Sequence, residues 1–129
     1  MKVRLTESMI RIRVDQPDVE TLAETGEIGF AIPLAHRSSL HCWLVVRANA
    51  PEVKATGGDG EIRIVLPRNR AHAWIESDAV SLEAQIDAGG TSTRILVEKD
   101  LGCRHGEEEA ATKATFDHLR ADDNGSPIS

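Results

Sequence analysis

Aromatic side chains are nearly missing from this chain: two Trp, two Phe and no Tyr among 129 residues. Binding single-stranded nucleic acid or sugars by stacking needs ring faces at regular intervals, so that class is excluded. A positive surplus is missing too. The net charge of −6 argues against a general duplex binder, which must neutralise phosphates with Lys and Arg, and no nucleic-acid partner is expected. No run approaches the roughly 18 apolar residues of a membrane helix, and the opening MKVRLTESMIRIRV alternates where a signal peptide would carry an unbroken apolar stretch. The expectation is a soluble, cytoplasmic protein without membrane contact. Cysteine is scarce: Cys42 and Cys103 lie far apart and form no CxxC pair. That excludes a zinc ribbon or thioredoxin motif, and in a reducing compartment no structural disulfide is expected.

What is present is alternation. Val3 and Leu5 alternate with Lys2 and Arg4, and after a turn at Glu7-Ser8, Ile10, Ile12 and Val14 alternate with Arg11 and Arg13. Such a period-2 pattern predicts a half-buried hairpin. Asp15 reads as a helix N-cap, with Pro17 in the first turn and Gly26 just past the end, predicting a helix over about 16–25. Strands are expected over 27–33, 38–48, 52–56, 62–66, 79–87 and 92–100, with a second short helix over about 68–76. Gly57-Gly58-Asp59-Gly60 is a hairpin turn; it lacks the Lys-Ser/Thr of a phosphate-binding loop. The fold class is therefore mainly β (α+β): about eight mostly antiparallel strands, as a small barrel or a two-layer sandwich, because the connections are too short for parallel crossovers. Val3, Leu5, Ile10, Ile12, Ile62, Ile64, Leu66, Val80, Leu82, Ala84 and Ile86 form the expected core face.

Residues 1–103 read as one β-rich domain, and 104–129 as an acidic tail with a weak helix over about 108–121. Six acids against three bases give that tail half of the net charge. No internal repeat of 20–50 residues is legible.

The opening M-K-V-R-L…I-R-I-R-V, the helix end L-A-E-T-G, the strand E-I-R-I-V-L-P followed by Trp74, and the closing I-L-V-E-K-D-L-G-C resemble a small bacterial family known only as a domain of unknown function. The resemblance covers most of residues 1–103, although members usually carry Phe where Leu101 stands. It implies a one-domain bacterial protein and supplies no activity. To the triphosphate tunnel enzymes the chain is similar in strand count only, since their opening E-x-E-x-K pattern is absent.

Two constellations carry chemistry. Lys2, Arg4, Arg11 and Arg13 fall on one side of two adjacent strands, where like charges repel unless something compensates them. The compensation is either an outside anion or acidic partner, or the chain's own acids: Glu7, Glu61, Glu98 or the Glu107–Glu109 run. In Glu98-Lys99-Asp100, Glu98 and Lys99 face opposite sides of a strand; the inward one must be paired, most simply with a hairpin arginine, and Lys99 joins the anion or partner set. The second constellation is soft: His36, His41, Cys42, His72, Cys103 and His105 suit zinc or copper. Cys103 and His105 share a face if they lie on a strand, whereas His41 points away from Cys42, and Cys42 shares its face with Leu40, Leu44 and Val46, as a buried inert thiol does. Ser38, Ser39 and His41 lie close together without a recognised nucleophile motif. The favoured reading is a non-catalytic binding or adaptor domain without a cofactor, its basic hairpin face meeting a small anion or a protein partner. The alternative is a zinc- or copper-binding protein, or a metal-assisted enzyme, using Cys103, His105 and His41.

Overall fold

Where apolar and polar residues alternate, the chain forms strands: β1 (Lys2–Leu5), β2 (Met9–Val14), β3 (Glu27–Pro33), β4 (Ser39–Arg47), β5 (Lys54–Gly58), β6 (Glu61–Pro67), β7 (Ser81–Ala88) and β8 (Thr91–Lys99). Two helices, α1 (Gln16–Thr25) and α2 (Arg68–Ile75), interrupt them. The computed structural model describes residues 1–100. The first sheet runs β1-β2-β8-β7 and the second β3-β4-β6-β5. The two sheets stay separate, so the arrangement is a sandwich and not a closed barrel. The expected tail at 104–129, with its helix, lies outside the described residues.

Four of the six strand pairings are antiparallel, but the central pair of each sheet, β2 with β8 and β4 with β6, is parallel. Short connections exclude parallel pairing only between successive strands. Here β2 and β8 are far apart in the chain, and β5 carries the chain back between β4 and β6.

The helices start and stop for local reasons. The Asp15 carboxylate accepts the Asp18 N–H at 2.9 Å, and the Asp18 carboxylate accepts the Asp15 N–H at 3.2 Å, a reciprocal capping box. Gly26 ends α1 at φ 83°, its N–H reaching the Leu22 carbonyl at 2.9 Å. α2 follows Pro67 without a side-chain cap.

The core joins Ile12, Val14, Ile95 and Val97 of the first sheet to Leu44, Ile64 and Leu66 of the second, with Val19, Leu22, Ala71 and Trp74 of the helices. Of the expected core set, Ile12, Ile64, Leu66 and Leu82 are buried, and Val3, Ile10, Ile62, Ala84 and Ile86 pack half-buried against them. Leu5 and Val80 are corrections: they are 49% and 48% exposed. Leu5 ends β1 at the turn closed by Thr6 N–H to the Met9 carbonyl. Val80 precedes β7, and its backbone carbonyl accepts Trp74 Nε1 at 3.2 Å and the Lys99 N–H at 2.8 Å.

The element order β-β-α-β-β occurs twice. Exchanging the halves turns the order β1-β2-β8-β7 into β5-β6-β4-β3, which is the second sheet read backwards. Each half thus gives one hairpin to each sheet. The period is just over fifty residues: Ile10-Arg11-Ile12 returns as Ile62-Arg63-Ile64, and the buried pair Val19 and Leu22 of α1 as Ala71 and Trp74 of α2. Backbone bonds between elements repeat as well. Val46 N–H to the Gly26 carbonyl (2.8 Å) matches Lys99 N–H to the Val80 carbonyl (2.8 Å).

Candidate functional site on the outer face of the first sheet

Because Val3, Ile10, Ile12 and Val14 turn inward, period 2 sends Lys2, Arg4, Arg11 and Arg13 to the outer face of the first sheet. Register then sets like against like: Lys2 lies opposite Arg13, and Arg4 opposite Arg11. On the other side of β2, parallel pairing brings Glu98 beside Arg13 and Leu96 beside Arg11. Glu98 Oε1 accepts Arg11 Nε and Nη2, each at 2.9 Å, and lies 3.7 Å from Arg13 Nε. The carboxylate of Asp100 stands 3.8 Å from Arg13 Nη2. Arg94 on β8 is bound by Glu83 on β7. The sheet therefore grades from basic on β1 and β2 to mixed on β8 and acidic on β7. Arg4 is exposed and has no ion pair or hydrogen bond among the described residues.

Of the acids named from the sequence that fall among the described residues, Glu98 is the one brought to the arginines. Glu61 lies on the second sheet, 3.3 Å from Arg63, Glu7 lies in the exposed β1–β2 turn, and Glu107–Glu109 fall outside the described residues. Lys99 does not share the basic face. It is the inward member of its pair, 9% exposed, and its Nζ donates to the Ser77 carbonyl at 2.8 Å and the Ile75 carbonyl at 3.5 Å, 5.6 Å from the centre of the Trp74 ring. A cation held by the carbonyls that end a helix is a brace for that helix.

The soft residues disperse. Cys42 is buried on the inner face, and burial pushes its thiol pKa up, away from the reactive thiolate. His41 lies on the outer face of the second sheet, its ring stacked on Trp43 at 6.4 Å, with the Arg63 guanidinium 5.9 Å from the same Trp43 ring. His36 sits in the β3–β4 loop and His72 on α2. Cys103 and His105 lie outside the described residues, among which no group of three or more His, Cys, Asp or Glu is placed to hold a metal ion. Ser38 Oγ is turned onto the Ala35 carbonyl at 2.6 Å and serves the loop.

The stack on the second sheet was not legible in the sequence. Trp43 lies over Gly29 of the neighbouring strand, and its Nε1 is buried without a hydrogen-bond partner among the described residues. The signal was the facing pair of a Trp and a Gly on adjacent strands, visible only once register is known. The described surface includes an open cleft of about 470 Å³ between the β5 and β7 edges and another of about 500 Å³ between α1 and α2. The second is lined by Thr25 and His72 among others, but the Thr25 hydroxyl is bonded to the Thr21 and Glu27 carbonyls. No described helix is long and apolar enough to cross a membrane. One family model matches, over residues 1–119, and its description is a family of unknown function, DUF7009. No curated protein and no solved structure matches the chain.

Proposed function

The chain belongs to the DUF7009 family, whose function is unknown, and we propose that it is a non-catalytic binding or adaptor domain whose outer hairpin face meets an anion or an acidic partner. One observation carries this reading: two like-charged pairs stand directly opposite each other on β1 and β2, and among the described residues Arg4 has no acid partner. Arg11 and Arg13 already lean on Glu98, so they shape the face. Arg4, beside Lys2 on the edge strand, offers the open guanidinium, a fork suited to carboxylate or phosphate.

The test is thermal melting in phosphate against chloride at matched ionic strength, for the wild type and for Lys2→Gln with Arg4→Gln. Both positions are exposed, so the double variant keeps the core. A site that binds only the folded state raises stability by about 2.7 kcal/mol at a hundredfold excess over its Kd. Phosphate protection is expected in the wild type and not in the variant. Equal shifts in both would remove the reading.

A further inference from the structure

We infer that the free edge of β3 is where two copies of this chain join: residues 28–32 pair antiparallel with themselves across a two-fold axis, so that the second sheet of one copy runs on into the next. The inference stands apart from the binding reading above, since β3 belongs to the other sheet.

Among the described residues the sheets end on four edge strands, β1 and β7 in the first and β3 and β5 in the second. An edge strand presents unpaired N–H and C=O groups, and charge on the strand is a common guard against pairing with another chain. β1 carries Lys2 and Arg4, β7 carries Glu83 and Asp87, and β5 opens on Lys54 and closes on Gly57-Gly58. Laid against its own copy, each of these would bring like charges together. β3 differs. From residue 28 to residue 35 no side chain is charged.

The bonds at the two ends of β3 assign its free edge. Val46 N–H reaches the Gly26 carbonyl at 2.8 Å, and Leu34 N–H the Ser38 carbonyl at 2.7 Å. Alternation along the ladder then gives the bonds with β4 to Ile28, Phe30 and Ile32, and turns the main-chain groups of Gly29 and Ala31 outward. Both residues are exposed. The segment is also self-complementary: Ile28-Gly29-Phe30-Ala31-Ile32 reads nearly the same backwards. Antiparallel pairing about Phe30 sets Gly29 opposite Ala31 of the second copy, where the outward groups of each meet. On the other face it sets Phe30 opposite Phe30 and Ile28 opposite Ile32. The register limits itself, because the next position sets Pro33, which has no N–H, against Glu27, whose N–H is held by Thr25 Oγ1 at 3.3 Å. Such an arrangement uses the same patch on both copies, as a two-fold interface must. Apolar surface is left over for it: Ile32 is 42% and Leu34 54% exposed, and with Phe30 they stand outside the core cluster of the described residues. A contact of this length buries less than about 1,200 Å², so the pairing is reversible.

The experiment is sedimentation equilibrium of the full chain over a concentration series, with backbone amide exchange followed by NMR, for the wild type, Ile32→Lys and Val80→Lys. Ile32 and Val80 are similarly exposed, but only Ile32 lies in the pairing, where the new charge would stand against Ile28 of the second copy. The wild-type mass is expected to rise from one chain towards two with concentration, while the Gly29 and Ala31 amides exchange more slowly. Ile32→Lys should weaken the association about tenfold or more and leave those amides unprotected, whereas Val80→Lys should associate like the wild type. Should circular dichroism show that Ile32→Lys does not fold, Ala31→Pro takes its place, since it removes an outward N–H from an exposed edge position. A wild type that stays single up to about 1 mM would overturn the self-pairing and leave the edge to an extended segment of another protein. A dimer that Val80→Lys dissolves, or one in which the Gly29 and Ala31 amides exchange as in the single chain, would overturn it by placing the contact elsewhere.

Discussion

At the scale of single residues, two sites show how little room the sandwich leaves. A Cβ on Gly29 would meet the Trp43 ring and stand 2.6 Å from the Cys42 carbonyl oxygen, so Gly29→Ala must push β3 off β4. Overpacking of this kind costs about 1–3 kcal/mol. Trp43 itself carries an indole N–H that is buried and has no hydrogen-bond partner among the described residues, a defect that Phe does not have. Trp43→Phe is therefore expected to cost less than Gly29→Ala despite the smaller ring, because the lost contact area is offset by the removed donor. Urea midpoints of the two variants decide this; a Trp43→Phe loss above about 3 kcal/mol would mean that the N–H is satisfied. Asp18 has a different lever. Burial pushes its carboxyl up, but the terminal ammonium of Met1 at 2.7 Å and the bonds from Asp15 outweigh this and hold the pKa below the ordinary carboxylate value. A depressed folded-state pKa contributes stability above the unfolded value of about 3.9, and that stability is lost as pH falls through the folded value. Asp18→Asn should be less stable than wild type at pH 7 and should lose less on acidification from pH 5 to pH 2. Parallel pH curves for the two proteins would show that the terminal ion pair contributes nothing.

At the scale of elements, the sequence was most readable where chemistry is local. The α1 bounds follow from Asp15, Pro17 and Gly26, and the strands from period 2 alone. Glu98 shares its face with Arg94 and Leu96 and Lys99 shares its face with buried Ile95 and Val97, and the register with β2, which sets Lys99 beside buried Val14, carries that inner face to the end of the strand. The basic face was legible because four cations lie within one hairpin; its partner was legible only as one of several candidate acids, because Glu98 comes from 85 residues beyond Arg13. The inward Lys99 gives a test of the division of labour. Lys99→Met keeps the apolar stem and removes the ammonium that caps α2, so it should lower stability by about 1.5–3 kcal/mol, the worth of hydrogen bonds to a charged group. It should leave any phosphate effect on melting unchanged. If instead Lys99→Met kept full stability and abolished phosphate protection, Lys99 would belong to the anion site after all.

At the scale of the whole molecule, the governing fact is that neither half owns a sheet. Residues up to Arg47 supply β1-β2 to one sheet and β3-β4 to the other, and residues from Lys54 onward supply the hairpins that pair with them. The repeat escaped a reading of letters because, beyond Ile-Arg-Ile and the helix positions, the halves share burial and not identity: Leu22 answers to Trp74, and Val46 to Lys99. Its consequence is physical. A lone two-stranded hairpin is marginal in water, and each half holds two of them with their apolar faces open. Ile12, Val14 and Leu44 of one half are covered by Ile64, Leu66, Ile95 and Val97 of the other. Cleaving the chain between Ala50 and Pro51, in the exposed turn region between β4 and β5, should therefore give two fragments that are unfolded apart and assemble one to one when mixed. The equimolar mixture should recover the β-sheet circular dichroism of the intact protein, with a melting midpoint that rises with concentration because folding has become association. A fragment that melts cooperatively alone, or a mixture whose spectrum is the sum of its parts, would show that one half carries a core of its own and that the shared sheets are not what holds the fold together.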